Sequence, residues 1–280
     1  MIAGMREYNE TNMGRLPALL SCFCLAISVE TRAESNPVPR LHVGVGGYLL
    51  TNFDSGVMLE GTSSGAGIIL NPREALDLEF ENTVFRFDSL YRFTPNHSIA
   101  FSWYRITSSG EKTLKDEIEW GDEVIPVGAS VTTTLKYDIY KLGYRWSFHH
   151  SDKVELAVGA GLHTTQLTLN LDARTTIGDL DTQDVNTTVP LPVLMFSLGY
   201  QINDHWRWSL DNEWFSLDFG DLEGLYIDST LRLEHRIWKT VHLGAGLGSN
   251  VLGLAKKIGD AQFTYTNRIA GGLFYLATDF

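Results

Sequence analysis

Residues 140–148 read YKLGYRWSF. In an extended chain, Tyr140, Leu142, Tyr144, Trp146 and Phe148 fall on one face, and Lys141, Gly143, Arg145 and Ser147 on the other. One face is large and greasy; the other is charged, polar or glycine. The pattern recurs. In KVELAVGAGL (153–162), Val154, Leu156, Val158, Ala160 and Leu162 alternate with Glu155, Ala157, Gly159 and Gly161. In TVHLGAGLG (240–248), Val241, Leu243, Ala245 and Leu247 stand against His242, Gly244, Gly246 and Gly248. In STLRLEHRI (229–237), Leu231 and Leu233 stand against Arg232, Glu234 and Arg236. A soluble sandwich turns the greasy face inward. A barrel in lipid turns it outward. Alternation alone does not choose between them.

Composition narrows the classes. The chain has 280 residues and a formal net charge of −12. An acidic balance argues against a nucleic-acid surface and against a peripheral protein held by a basic face. Mean hydropathy is −0.07, a value that does not exclude a transmembrane barrel, whose strands average a polar and an apolar face. No apolar run reaches the ~18 residues of a membrane-spanning helix.

The N-terminus reads as an export signal. In MGRLPALLSCFCLAISVETRAES (13–35), Arg15 is the positive region, residues 16–29 the apolar core, and Thr31-Arg32-Ala33 a small-residue cleavage site. Residues 1–33 are therefore expected to be removed, with Met13 an alternative start, and 34–280 to form one domain. The only cysteines, Cys22 and Cys24, lie in this segment, so the mature chain is expected to carry no disulfide, thiol chemistry or cysteine-based zinc site. The removed piece has three basic residues (Arg6, Arg15, Arg32) and three acidic ones (Glu7, Glu10, Glu30), so the charge of the remainder is unchanged.

The alternation divides the rest into ten predicted strands: 41–53, 81–94, 97–108, 130–149, 152–171, 188–203, 205–219, 225–238, 240–253 and 262–280. Their connections alternate in length. Short turns fall at TPNH, HHSD, INDH and WKT; longer loops fall at 54–80, 109–129, 172–187, 220–224 and 254–261. Aromatic residues crowd the short-turn end: Tyr91, Phe93, Trp146, Phe148, Tyr200, Trp206, Trp208 and Trp238. Rings with an apolar body and a polar edge favour the headgroup zone, so this set reads as a periplasmic girdle. The asymmetry selects an all-β, single antiparallel transmembrane barrel with both termini periplasmic. Ten strands fit best; eight or twelve are the alternatives, since 54–80 has room for another hairpin. A soluble periplasmic barrel is the competing architecture.

The chain closes on GGLFYLATDF (271–280). Phe274, Leu276, Thr278 and Phe280 share one face, and Gly271, Leu273, Tyr275, Ala277 and Asp279 the other. A terminal aromatic after an alternating strand resembles the C-terminal signature of bacterial outer-membrane proteins, with Tyr275 and Phe280 as its aromatic positions. The stretches ENTVFRFDSLYRFTPNHSIAFSWYRI, VGASVTTTLKYDIYKLGYRWSF and DKVELAVGAGLHTTQLTLNLDA resemble a widespread set of proteobacterial outer-membrane β-barrel proteins. The resemblance implies the fold, an outer-membrane location, and as partners the surrounding lipid and lipopolysaccharide and the barrel assembly machinery. It brings no catalytic motif.

Candidate chemistry is sparse. Barrel proteases of the omptin type use acidic and Asp-x-His pairs at the outer rim; this chain has no Asp-x-His, and its nearest pairs are Asp211/Glu213 and Asp204-His205. His149, His150 and Ser151 lie in a turn, where a solvated role outweighs a hydrolase constellation. His42, His163 and His242 face the predicted lumen, where a satisfied polar interior outweighs a metal site. No cofactor or metal is expected. Loop 109–129 holds eight charged side chains plus Trp120, and 172–187 holds Asp172, Asp179, Asp181 and Asp184. DLDTQD lacks the full calcium-loop pattern, so a solvated surface is the expectation there. The glycine-rich runs are read as letting a curved barrel close.

The inner face carries the most charge: Arg86, Asp88, Arg92, Lys141, Arg145, Glu155, Arg207, Asp211, Glu213, Asp228, Arg232, Glu234 and Arg236. A barrel of eight to ten strands is narrow, and buried charges must pair. The expectation is an ion-paired plug in a non-enzymatic structural or surface-interaction protein that offers its loops to an extracellular ligand. A small porin-like channel for ions or solutes is the alternative, and a barrel hydrolase acting on lipid or peptide the third reading.

Overall fold

A computed structural model describes residues 39–61, 67–70, 79–80, 83–115, 117–120, 123–175, 178–180, 185–258 and 261–280. The expected signal peptide, residues 1–33, lies outside the described residues. Ten long strands form the ring: β1 (Leu41–Gly61), β2 (Thr83–Thr94), β3 (His97–Thr113), β4 (Ser130–His150), β5 (Val154–Thr175), β6 (Val185–Gln201), β7 (Trp206–Phe219), β8 (Leu222–Trp238), β9 (Val241–Ile258) and β10 (Ala261–Asp279). Each pairs antiparallel with its neighbours in sequence, and β1 pairs with β10 from His42↔Asp279 to Gly61↔Ala261. The barrel is closed. Closure gives every strand two neighbours, although the β6–β7 ladder covers only part of their length. Gly67–Leu70 pairs with Val57–Glu60 at the C-terminal end of β1 and adds no strand to the ring, which leaves the count at ten.

At one end the connections are tight turns at Pro95-Asn96, 151–153, 202–205 and Lys239-Thr240; at the other, the longer loop expected over 220–224 is instead a two-residue turn, Gly220-Asp221, with Gly220 at φ 61°. The geometry at 151–153 and 202–205 follows from side chains beside the turn: Ser151 Oγ accepts from the Val154 N–H at 3.0 Å, and Asn203 Oδ1 accepts from His205 N–H and Trp206 N–H at 2.9 and 3.0 Å. At the other end β1, β3, β5 and β9 run four to eight residues past their predicted limits, to Gly61, Thr113, Thr175 and Ile258. β5 has 22 residues, and at about 3.3 Å each it exceeds the about 30 Å of hydrocarbon in a bilayer even when tilted.

The extra length is built differently. Near the short turns the outward face is apolar: Leu142, Leu162, Leu194, Leu243 and Phe274 are each about half exposed. Further along, the outward face turns polar (Asp138, Lys136 and Thr134 on β4; Thr164, Gln166 and Thr168 on β5; Arg268 and Thr266 on β10), and the inward face turns apolar. There Tyr48, Leu50, Phe53, Tyr104, Ile106, Leu135, Tyr137, Ile139, Ile269 and Leu273 form one buried cluster inside the ring. A uniformly polar lumen, read from the charged inner face, therefore holds for only part of the length. Such a switch is what a wall passing from an apolar to an aqueous surrounding requires: greasy side chains point outward in the first and inward in the second.

The loop read as a solvated charged surface, 109–129, also contributes to this interior. It forms the short ladder Ile118–Trp120 with Glu123–Ile125, and Ile125 is fully buried against Val131, Leu171 and Ala173.

Candidate functional site

The inward charges meet in four groups stacked along the lumen. In the group nearest the apolar cluster, Lys141 Nζ lies 2.8 Å from Asp228 Oδ2 and 3.3 Å from Glu213 Oε2. Tyr226 Oη is within 2.7 Å of His163 Nδ1 and accepts from Asn250 Nδ2 at 2.9 Å. Lys141 is on β4 and Asp228 on β8, so this contact spans the ring instead of following it.

The second group is a chain. Arg145 on β4 reaches Asp211 on β7 at 3.4 Å; Asp211 takes Arg232 on β8 at 2.6 Å; Arg232 reaches Asp88 on β2 at 3.4 Å; and Asp88 is gripped by Arg86 at 2.9 Å. Ser197 donates to Asp211 at 2.7 Å, and the Arg86 guanidinium sits 5.1 Å from the Tyr104 ring centre. In the third, Arg92 on β2 donates to both oxygens of Glu155 on β5 at 2.9 and 3.0 Å, and Ser147 donates to the same carboxylate. The fourth lies across the closing seam. Arg207 pairs with Glu234 and, at 3.2 Å, with Asp279; His42 and His242 contact Asp279 at 2.7 and 3.0 Å; and Tyr275 donates to Glu234 at 2.8 Å.

Twelve of the thirteen inward charges named from the sequence enter these groups. Arg236, beside the bulge near the Lys239-Thr240 turn, forms no ion pair among the described residues. With Asp279 the groups hold six cations (Arg86, Arg92, Lys141, Arg145, Arg207 and Arg232) and seven carboxylates, and His42 and His242 lie against the added one. Sequence reading placed Asp279 and Tyr275 on the inner face but gave them no partners there. Tyr275 stands apart from the outward Phe274, Leu276 and Phe280 of its strand, with its hydroxyl on Glu234. Asn250, Tyr226, Ser147 and Ser197 entered unannounced, because an uncharged polar residue on an inner face carries no signal until its neighbours are known.

The glycines have a more local role than easing curvature. A Cβ at Gly244 would overlap the Tyr275 ring, and one at Gly46 would collide with Tyr275 and the Phe274 carbonyl. Their absence of side chains makes the slot in which Tyr275 lies flat against the wall.

The aromatic set at the short-turn end faces outward. Tyr91, Phe93, Trp146 and Phe148 are about half exposed; Trp206 and Trp238 are exposed; Tyr200 and Trp208 pack together with ring centres 6.0 Å apart. Asp204 and His205 sit exposed in a turn, while Asp211 and Glu213 are held by the interior pairs above.

No family model and no curated protein matches this sequence. Among solved structures, the chain is similar to the outer membrane protease OmpT of Escherichia coli, at 11% identity over 85% of this chain and 97% of that one, with a TM-score of 0.49. It is also similar to Neisserial surface protein A, at 12% identity over 86% and 97%, TM-score 0.31, and to the Pseudomonas putida toluene transporter TodX, at 9% over 88% and 90%, TM-score 0.33. At these values the likeness assigns no activity.

Proposed function

We propose that this protein is an integral outer-membrane β-barrel without enzymatic activity, a rigid wall-to-wall plugged scaffold that holds its long loops at the cell surface. The observation that carries this is the set of ion pairs joining strands on opposite sides of the ring, above all Lys141–Asp228 and Arg232–Asp88. Each crosses the space an aqueous path would need. Above them the lumen is filled by Tyr104, Ile106, Tyr226 and their neighbours, which have almost no exposed surface. A packed interior is what a ten-stranded ring has room for. The half-exposed apolar belt and the outward aromatic set support the membrane placement. On this reading its partners are lipid and lipopolysaccharide around the belt, the machinery that inserts it, and an extracellular ligand at the loops.

The test is single-channel conductance of the refolded protein in a planar bilayer, after its gel mobility has been shown to shift on heating. The expected result is no discrete steps. Reproducible unitary steps would overturn the plugged reading in favour of a small channel.

A further inference from the structure

The wall of the barrel is not continuous. The ladder between β6 and β7 runs from Gln201↔Arg207 to Leu194↔Trp214 and stops. Both strands continue: β6 stays paired to β5 as far as Val185↔Leu169, and β7 stays paired to β8 as far as Phe219↔Leu222. Between Val185–Val193 and Phe215–Phe219, two adjacent strands of the ring share no pairs.

The sequence explains where the ladder stops. In an extended strand, successive N–H groups point to alternate neighbours. Gln201 donates to Lys153 on the β5 side at 2.7 Å, and Ile202 donates to Trp206 on the β7 side at 2.9 Å. The register from 185 to 201 has no slip, so even-numbered residues of β6 address β7. The next two even positions beyond Leu194 are Pro192 and Pro190. Neither has an N–H. Continued register would set them opposite Ser216 and Asp218, so two successive donors are missing from the one edge that β7 would use, while the β5 edge is untouched.

Behind the break the interior is apolar. Leu191, Val193, Tyr226 and Leu252 are buried together, with Phe215 half-buried against them. Below lies a polar floor whose groups bond one another: Tyr226 Oη to His163 and Asn250, and Lys141 to Asp228 and Glu213. At the lower lip, Leu194 and Trp214 point outward and are more than half exposed, so the break opens at the top of the apolar belt.

We infer that this break is a lateral binding site for the acyl chain of a membrane lipid, entering from the leaflet nearer the long loops. The chemistry selects a hydrocarbon tail over a headgroup. The inward lining of Leu191, Val193, Phe215, Tyr226 and Leu252 carries no charge; the lower lip of Leu194 and Trp214 is apolar, Asp218 stands outward at the far end of the break, and the charged floor has paired its own groups and stops the chain. The inference rests on the membrane placement proposed above, but not on the plugged lumen, since the site opens sideways above the ion pairs.

The test places a photoreactive benzophenone residue at Leu217, inward on β7, or at Leu231, outward on the belt, in phospholipid vesicles. The background is Cys22→Ser/Cys24→Ser with Val193→Cys/Phe215→Cys, a pair that continued register sets face to face and that leaves both prolines in place, so the break can be cross-linked and released in one folded protein. Lipid adducts are expected at both positions in the reduced protein. On oxidation the 217 adduct should fall several-fold, returning on reduction, with the 231 adduct constant. Adducts at 231 but not at 217 would overturn the site. Adducts at 217 that ignore the cross-link would overturn the break as the route. No adduct at 231 would instead refute the membrane placement itself.

Discussion

Replacing Lys141 by methionine keeps most of the side-chain volume and removes the one cation between Asp228 and Glu213. Both carboxylates lie within 3.3 Å of that ammonium, and all three side chains are about one-tenth exposed. Without it, two anions stand side by side on the adjacent strands β7 and β8, with the neutral donors Tyr226, Asn250 and Thr230 and the His163 ring beside them. Breaking a buried pair by removing one partner costs about 3–5 kcal/mol, roughly two to three and a half powers of ten in the folding equilibrium at about 1.4 kcal/mol each. The loss should be measured by urea unfolding in micelles, followed by tryptophan fluorescence. The argument requires a second result. The triple variant Lys141→Met/Glu213→Gln/Asp228→Asn removes the charge altogether and should regain most of the loss, because neutral replacements of a buried ion cluster are often tolerated. A single variant within about 1 kcal/mol of the parent, or a triple variant worse than the single, would refute the view that these groups act as one compensated cluster.

Three further outcomes follow from the geometry. Gly244→Val should displace the Tyr275 ring and break its bond to Glu234, lowering the gel-shift unfolding temperature markedly, whereas Gly253→Ala, where a Cβ meets nothing within 4 Å, should leave it nearly unchanged. Asp279→Asn weakens the contacts to Arg207, His42 and His242 that tie the first and last strands to β7 and β9, and should lower urea resistance and slow refolding into vesicles. Arg105→Ala, by contrast, removes an ion pair to Asp138, whose carboxylate is covered from outside by the half-exposed Arg105 side chain; trimming that cover opens the carboxylate to solvent, so the cost in the same urea assay should stay within about 1 kcal/mol.

Much of the architecture was legible because the barrel's rule is local. Tyr140–Phe148 states which residues face which side, and the same statement repeated along the chain yields ten strands, their order and their short turns. The inward set could be named by parity alone. Its partners could not. Lys141 is bound to Asp228 and Arg232 to Asp88, contacts between strands four places apart in the ring, and nothing in either segment marks the other.

What the amino-acid sequence determined by itself is therefore what depends on period two: strand, face and turn. Two things waited for the tertiary structure. One is the switch of polarity along each strand, since Leu135 and Tyr137 look no different from lipid-facing residues until the closed ring shows that they point inward, with Lys136 and Asp138 on the opposite face. The other is the meaning of Pro190 and Pro192, which is set by the neighbour their missing donors would address. Both are properties of register and closure, and register is fixed only when every strand has found two partners.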